Sequence, residues 1–250
     1  MYNCKTSKGF TLIELSIVVV IIGLAVAGVL VGSNMRDTAR LNQLISDLTS
    51  YRTSYEQFKN KYSSVPGDMV DAESYWGAGN TNNGDGDWQI VEDTEEYLAW
   101  QHLGLSGFLK NTLSGSRSLG GSNAPILGVE IPQGPYNLSG YRMVEYDADL
   151  ITGVNYVSPA NSIVAAAVGV ATTDSKSLKR GVVSPQDAYS LDLKIDDGLP
   201  HQGKILGPRA TSPFVTINCS VTQGDINSEY LVSNTEKDCQ IVYLLEDLDE

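Results

Sequence analysis

The chain has 250 residues, of which 42% are hydrophobic and 19% are charged, a composition typical of a folded protein rather than a disordered one. Its formal net charge is −13, because 30 acidic side chains oppose 17 basic ones. This balance argues against binding to nucleic acid or to anionic lipid surfaces, since both depend on clustered lysine and arginine. The length allows one membrane segment and one globular domain.

The N-terminus combines a short basic stretch with a long apolar run. Lys5 and Lys8 precede about 23 mostly apolar residues, enough to cross a bilayer as a helix. The order differs from that of a secretory signal peptide, whose apolar core comes before its small-residue cleavage site. The two lysines predict that the leader stays in the cytoplasm and that the body of the chain lies outside it. Glu14 is the only formal charge between Phe10 and Asn34.

The segment Lys8-Gly9-Phe10-Thr11-Leu12-Ile13-Glu14-Leu15 resembles the prepilin processing motif of type IV pilins and type II secretion pseudopilins. The resemblance implies that a prepilin peptidase cuts after Gly9 and methylates the new N-terminal amine of Phe10. It also implies that Glu14 is the assembly glutamate of the family. The alternative is a plain membrane anchor that carries an accidental glutamate.

The physical chemistry of Glu14 fits the implied role. A carboxylate inside a bilayer costs roughly 2.5–3.5 kcal/mol, so it needs a partner. Cleavage would create an amine on Phe10, at a helix N-terminus where the macrodipole disfavours a cation. Glu14 lies one turn away and can neutralise that amine in its own chain. In a filament it could instead meet the amine of a neighbouring subunit, which would fix the axial stagger.

Three regions follow from the resemblance. We expect a cleaved leader over residues 1–9, a transmembrane and assembly helix over 10–33, and an extracytoplasmic head over 34–250 that includes an amphipathic continuation of the helix. Gly28 and Gly32 have the small-xxx-small spacing that lets membrane helices approach closely. Many major pilins have a proline in this helix, whereas the first proline here is Pro66, so a kink on assembly is not assured.

The implied partners are a prepilin peptidase, other copies of the chain and other pilins, an inner-membrane assembly platform, and membrane lipid before assembly. No nucleic acid partner is expected. The implied location is the cytoplasmic membrane, with the head outside the cytoplasm, followed by a periplasmic or cell-surface filament.

The cysteines agree with export. Cys4 lies in the predicted leader, so cleavage at Gly9 would leave Cys219 and Cys239 as a pair. This count favours an oxidising compartment and one disulfide near the C-terminus. The pair resembles the disulfide-bounded region of many pilins, which often forms exposed filament surface.

The rest of the chain predicts an α+β fold, in which a long N-terminal helix packs on an antiparallel β-sheet. Apolar residues keep helical spacing from the membrane run to Tyr62, and the first breaker is Val65-Pro66-Gly67-Asp68. A second helix is predicted to start near 93–94, and a third to follow the N-cap Ser184 and end near Ile195. The strand candidates are 140–146, 161–172, 214–219 and 240–245, with a helical alternative over the alanine-rich 163–170.

A loop from Asp68 to Trp88 ends in the residues GNTNNGDGDW, which resemble a 12-residue calcium loop when Thr81 is placed first and Glu92 last. Pseudopilins of type II secretion often bind structural calcium, which raises the interest of this match. Thr81 stands where a carboxylate is usual, so a shifted register and a plain solvated turn are both alternatives. The predicted calcium ligands are Asn83, Asp85, Asp87 and Glu92.

The sequence predicts a structural filament subunit, and no catalytic role. The alternative is a major or minor pseudopilin of a type II secretion system, and a third interpretation is a membrane-anchored periplasmic binding protein or enzyme. Against catalysis, the chain has two histidines, no Gly-x-Ser-x-Gly and no phosphate-binding glycine loop. His102 is expected to be a packed, hydrogen-bonded residue. The pairs Glu95/Glu96 and Asp196/Asp197 are expected to form solvated faces, and the basic cluster Lys176, Lys179 and Arg180 is expected to lie in a solvated loop.

Overall fold

A computed structural model of the chain describes residues 9–91, 94–116, 125–146, 160–168, 178–207, 219–222 and 227–245. Its helices are α1 (Leu12–Tyr62), α2 (Ala72–Trp76), α3 (Glu95–Leu105) and α4 (Pro185–Ile195). Its strands are β1 (Ser139–Tyr146), β2 (Ala160–Val168), β3 (Leu178–Arg180), β4 (Ile205–Leu206) and β5 (Ile241–Leu244). The predicted α+β class is confirmed.

The chain divides into two units, Met1–Asn42 and Gln43–Glu250. In the first unit, the stretch Leu12–Val29 of α1 has a mean hydropathy of 2.7, and none of it is buried within the chain. It is the one helical stretch among the described residues that is long and apolar enough to cross a membrane. Its large side chains need an apolar surrounding that the chain itself does not supply.

In the second unit, the remainder of α1 is amphipathic and supplies one wall of the core. Leu44, Leu48, Tyr55 and Phe58 are buried, and with the half-buried Tyr51 they follow the predicted spacings of three and four. The Tyr51 ring meets the Trp100 ring of α3 edge-on at 4.9 Å and the Tyr141 ring of β1 at 5.0 Å. One aromatic side chain of α1 therefore contacts both α3 and the sheet.

The sheet is antiparallel and has the strand order β1-β2-β5-β4, with β3 paired to β2. β1 pairs with β2 over eight residues, from Ser139 opposite Ala167 to Tyr146 opposite Ala160. The predicted strands at 140–146, 161–172 and 240–245 correspond to β1, β2 and β5, so the helical alternative over 163–170 is wrong. The candidate strand at 214–219 lies almost wholly outside the described residues, as does Lys176.

Three elements were not predicted from the sequence. α2, β3 and β4 have five, three and two residues, too few for a periodic pattern to be recognised. Lys179 and Arg180 lie on β3, so the prediction that they belong to a loop is wrong. α4 agrees with its prediction, because the Ser184 hydroxyl accepts a hydrogen bond from the Asp187 amide at 3.2 Å and Pro185 begins the helix.

The expectation that Glu95 and Glu96 form a solvated face is wrong. Both lie in the first turn of α3 and are buried, with 6% and 1% of their surface exposed. The Glu96 carboxylate accepts hydrogen bonds from Nε and Nη2 of Arg142 on β1, at 2.9 and 2.6 Å. This buried ion pair joins α3 to the sheet and compensates for the desolvation of both charges.

Arg142→Met should destabilise the protein by about 3–5 kcal/mol, because the buried Glu96 carboxylate loses its cation while methionine fills much of the same volume. The measurement is urea-induced unfolding of the full chain in detergent. The matched control is Glu56→Gln, which breaks the Arg52–Glu56 pair of α1, where the glutamate side chain is 49% exposed. This change should cost less than about 1 kcal/mol. Equal effects of the two variants would contradict the structural role of the buried pair.

Candidate functional site

The start of α1 is held by a reciprocal pair of hydrogen bonds between Thr11 and Glu14. Thr11 precedes the first helical residue, and its hydroxyl oxygen accepts a hydrogen bond from the Glu14 amide at 3.3 Å. In return, Oε2 of Glu14 accepts from the Thr11 amide at 2.8 Å and from the Thr11 hydroxyl at 2.9 Å. This is a capping box, and it satisfies two backbone amides that would otherwise have no partner.

The capping box gives Glu14 a second role that the sequence analysis missed. The signal was present in the sequence, because Thr11-Leu12-Ile13-Glu14 has the T-x-x-E spacing of a capping box directly before an apolar run. The carboxylate also lies at the positive end of the helix dipole, where a negative charge is favourable. In this structure, Glu14 therefore has hydrogen-bond partners inside its own chain.

Gly9 and Phe10 lie before the helix, in exposed non-helical backbone. A Cβ atom added to Gly9 would meet no other atom within 4 Å, so the fold of this chain does not require a glycine there. Phe10 is 85% exposed and so contributes little to packing. The peptide bond between them is accessible. The packing of this chain therefore does not explain why a glycine and a phenylalanine occupy these two positions.

The same test applies to the glycines of α1. A Cβ atom added at Gly23, Gly28 or Gly32 would meet nothing within 4 Å. Glycine weakens a helix interior by about 1 kcal/mol relative to alanine, and the chain's own packing offers no compensation at these positions. Close approach of another helix is one use for such a surface.

Residues 4–30 match the family model described as the prokaryotic N-terminal methylation motif. The matched range contains Gly9, Phe10, Thr11 and Glu14 together with the apolar stretch of α1. Comparison with curated proteins gave no match, and comparison with solved structures gave none either. The N-terminal segment is therefore that of a pilin- or pseudopilin-type precursor, of the kind that a prepilin peptidase processes. The apolar helix that follows fits a membrane-anchored precursor.

A second candidate site is the acidic loop between α1 and α3, which we define as residues 67–91. Carboxylate oxygens of Asp68, Asp85 and Asp87 lie within 4.8 Å of one another. Asp68 is buried, and its carboxylate accepts hydrogen bonds from the amides of Gly86 and Trp88, the latter at 2.7 Å. Burial raises the pKa of Asp68, and the neighbouring carboxylates of Asp87 and Asp85 add to that increase.

The structure brings together two of the four predicted calcium ligands. Asp85 and Asp87 belong to the acidic cluster, whereas the side-chain oxygen of Asn83 accepts a hydrogen bond from the Glu73 amide at 2.9 Å. Glu92 lies outside the described residues. Asp68 was not predicted, because it precedes Asp85 by a stretch of loop that carries no periodic signal.

Two further buried side chains fix the acidic loop. Glu95 accepts hydrogen bonds from the amides of Asp85 and Val91, at 3.3 and 3.0 Å. Asn161 of β2 accepts from the Ile90 amide at 3.1 Å and donates to the Trp88 carbonyl at 2.9 Å. The loop therefore has a defined backbone course although it contains little regular structure.

Trp88 is the most unusual residue of the acidic loop. Its φ is 70°, in the left-handed region that a bulky side chain rarely occupies, and 52% of its surface is exposed. Its amide and carbonyl are held by Asp68 and Asn161, and the Lys59 ammonium lies 5.8 Å from its ring centre. The surrounding hydrogen bonds thus impose this conformation on an aromatic side chain that is only partly packed.

His102 of α3 is packed and hydrogen-bonded, as predicted. Its Nδ1 accepts a hydrogen bond from the Gly67 amide at 3.0 Å, so the proton of the neutral ring lies on Nε2. Nε2 in turn lies 3.0 Å from the Thr81 hydroxyl and 3.3 Å from the Asn82 carbonyl. The ring joins two parts of the acidic loop to α3, and burial lowers its pKa to about 4.

The predicted disulfide is confirmed. Cys219 and Cys239 are bonded, with their Cα atoms 5.1 Å apart and 20 positions apart in the chain. The backbone of Cys239 pairs with that of Val183 in an isolated antiparallel bridge, which attaches the disulfide to the segment before α4.

One contact among the described residues has the composition of a catalytic pair. Nε2 of His201 lies 3.1 Å from the hydroxyl oxygen of Ser220. Both residues are buried, with 3% and 6% of their surface exposed, so a substrate cannot reach the serine. A serine that attacks a substrate must be accessible to it, so this contact is structural.

The buried position of His102 predicts a loss of stability in acid. The unfolded chain protonates this histidine near its ordinary pKa of 6.5, whereas the folded chain does so only at about 4. Between these values the unfolded state binds more protons, so stability falls as the pH falls from 6.5 to 4. The loss attributable to this residue is about 3 kcal/mol.

The measurement is the free energy of unfolding of the full chain in detergent at several pH values, for the wild type and for His102→Gln. Glutamine can accept one hydrogen bond and donate another without ionising, so this variant should lose the share of the acid dependence that His102 contributes. The matched control His201→Gln should keep it. An unchanged acid profile in His102→Gln would refute the assignment.

Proposed function

We propose that the chain is a structural subunit of a type IV pilus-like filament, which is processed by prepilin peptidase and assembles through its N-terminal helix. The observation that carries the proposal is the prepilin-type motif at the start of a helix whose apolar stretch is fully exposed. A structural subunit needs no catalytic group, and the apolar helix supplies a surface for other subunits.

The proposed life cycle has two environments for the same helix. Before assembly, lipid covers the apolar side chains of Leu12–Val29, and residues 34–250 form a head outside the cytoplasm. After cleavage at Gly9 and methylation of Phe10, the helices of other copies replace the lipid. The three glycines whose Cβ positions meet no atom support this exchange, because they permit close helix approach.

The capping box adds a step to the proposed role of Glu14. In the precursor the carboxylate is satisfied by Thr11, which lowers the cost of placing it near the bilayer. Cleavage adds a positive amine one residue before Thr11. The second oxygen of the carboxylate can then meet the amine of its own chain or of a neighbour, without loss of the helix cap.

The proposal predicts the mass of the mature chain and the behaviour of Glu14→Val. The purified mature protein should begin at methylated Phe10, as read by N-terminal mass spectrometry. Glu14→Val should still be cleaved but should form no filaments, because no carboxylate remains to meet the amine. The matched control is Ser16→Val, which removes a polar side chain two positions along the helix whose hydroxyl bonds only to the Ile13 carbonyl among the described contacts. This variant should assemble normally.

Two results would contradict the proposal. A mature chain that retains residues 1–9 would refute processing, and normal filaments from Glu14→Val would refute the assembly role. A pseudopilin of a type II secretion system is the second candidate, and the cluster of Asp68, Asp85 and Asp87 favours it because pseudopilins of that system often bind structural calcium, though commonly nearer the C-terminus. Deletion of the chain should then stop protein export instead of removing surface filaments.

We also propose that the acidic loop binds a structural calcium ion. Asp85 and Asp87 of the predicted set, together with Asp68, supply oxygen ligands within a small region, as calcium requires. Asn83 and Glu92 are the other predicted ligands. A bound cation would offset the repulsion among these carboxylates.

Calcium should raise the melting temperature of the full chain by about 5 °C at a concentration near 100 times the dissociation constant. The double variant Asp85→Asn with Asp87→Asn should abolish the increase. The matched control Asp71→Asn, which changes an exposed carboxylate of the same loop outside the cluster, should retain it. An equal increase with magnesium, or none with calcium, would contradict a calcium site.

A further inference from the structure

The side chain of Asp192, in the last turn of α4, is fully buried. Its Oδ1 accepts a hydrogen bond from the Gly198 amide at 3.2 Å, and its Oδ2 accepts one from the Tyr230 hydroxyl at 2.8 Å. Tyr230 belongs to the disulfide segment, which we define as the described residues 219–222 and 227–239. Asp192 therefore joins three parts of the chain: α4, the turn that follows it, and the disulfide segment.

Tyr230 is the side chain through which the disulfide segment meets this region. It is 4% exposed, and its ring centre lies 6.1 Å from that of Tyr189 on α4. A Cβ atom added at Gly207 would lie 2.4 Å from Cε1 of Tyr230, so the ring packs directly on that backbone. Displacing the disulfide segment from α4 requires this ring to leave its site.

Two backbone amides report directly on the contact between Asp192 and Tyr230. The Gly198 amide donates to Asp192 itself, and the Gly207 amide, on whose backbone the Tyr230 ring packs, donates to the Pro200 carbonyl at 3.0 Å. Opening the contact solvates Asp192 and uncovers Gly207, so the protection of both amides reports whether the contact is closed.

The surroundings of Asp192 are acidic. Carboxylate oxygens of Asp196 and Asp197, in the turn after α4, lie within 4.8 Å of the Asp192 carboxylate and of each other. Asp196 accepts hydrogen bonds from the amides of Lys204 and Ile205. The expectation that Asp196 and Asp197 form a solvated face is therefore wrong for Asp196, whose carboxylate is used inside the turn.

The ionisable groups around Asp192 come from each neighbouring element. Asp196 and Asp197 belong to the turn after α4, and Tyr230 belongs to the disulfide segment. His201, which follows that turn, contacts Ser220 of the disulfide segment. On α4 itself, Tyr189 contacts the Tyr230 ring. Burial, together with the charges of Asp197 and Asp196, raises the pKa of Asp192 to about 7, against the hydrogen bonds from Tyr230 and Gly198, which lower it.

We propose that the contact between Asp192 and Tyr230 is a pH-sensitive latch, which holds the disulfide segment against α4 in acid and weakens as the pH rises towards neutrality. The proposal rests on the geometry of this contact. The fully buried carboxyl group of Asp192 lies close to two other carboxylates, and its hydrogen bonds connect α4 to the turn that follows it and to the disulfide segment. Its protonated form is tolerated in this site, whereas its ionised form adds a buried negative charge to two existing ones.

The direction follows from proton linkage. When the latch opens, Asp192 becomes solvated and its pKa returns to about 3.9. Between that value and about 7, the closed state binds a proton that the open state does not. Opening therefore becomes more favourable as the pH rises across this range, by up to about tenfold per pH unit, and it levels off above about pH 7.

The test is hydrogen exchange of the Gly198 and Gly207 amides in the full, oxidised chain in detergent, from pH 5 to 8, with the intrinsic exchange rate divided out. The protection of both amides in the wild type should fall between pH 5 and 7, by as much as about 100-fold, and then stay constant. Amides in the middle of α3 are the internal reference and should not share this change.

Three variants test the assignment to Asp192. Asp192→Asn keeps an acceptor for Tyr230 but cannot ionise, so its protection should not depend on pH. Tyr230→Phe keeps the ring but removes the hydroxyl donor, so protection should be lower at every pH. Asp197→Asn keeps its acceptor for the Leu199 amide and removes one neighbouring charge, so protection should level off at a lower pH.

The Asp197 variant keeps the test decisive if Asp192→Asn does not fold, because it leaves the buried carboxyl group in place. Wild-type protection that does not change between pH 5 and 7 would overturn the proposal. An unchanged pH dependence in either Asp192→Asn or Asp197→Asn would also overturn it, because the titrating group would then be elsewhere.

Discussion

The structure depends on one constraint: buried backbone amides outside helices and strands need hydrogen-bond acceptors. The described strands are short apart from β1 and β2, so the long connections supply many such amides. Buried side chains satisfy them. Asp68, Glu95 and His102 accept hydrogen bonds from amides of the acidic loop, and Asp192 and Asp196 do the same in the turn after α4. These buried polar side chains hold the backbone of the loops in place. Because several of them are ionisable, the stability of the fold depends on pH.

How much of the fold could be predicted from the sequence depended on the range of the interactions. α1 and α4 were predicted within two residues, because their signals are local: an apolar period of three to four, and a serine, proline and aspartate within four consecutive positions. Glu95 and Glu96 were placed wrongly because the partner of Glu96 is 46 positions away on β1, and no local pattern reveals it. The same holds for Asn161, whose contacts with the acidic loop span more than 70 positions.

The N-terminal motif could be recognised from the sequence, since all its parts lie within a few residues of one another. Gly9, Phe10 and Glu14 were named from their resemblance to the prepilin motif, the matching family model covers all three, and the structure added Thr11 as the partner of the carboxylate. The acidic loop is the opposite case. Its sequence indicated carboxylates suited to a cation, but the set that converges includes Asp68, which only the folding of the loop brings near Asp85 and Asp87.

The glycines of α1 also have a mechanical consequence. The helix continues from Leu12 to Tyr62 without a proline, so it has no position where a proline ring removes a backbone hydrogen bond. Gly23, Gly28 and Gly32 are its weakest positions by propensity, and their Cβ sites meet no neighbouring atom in the chain. Under axial load, elastic strain in the helix would concentrate at these three positions, so they would act as its compliant section. The same three residues thus combine two properties: open surface for a neighbouring helix, and the lowest resistance of α1 to local unwinding.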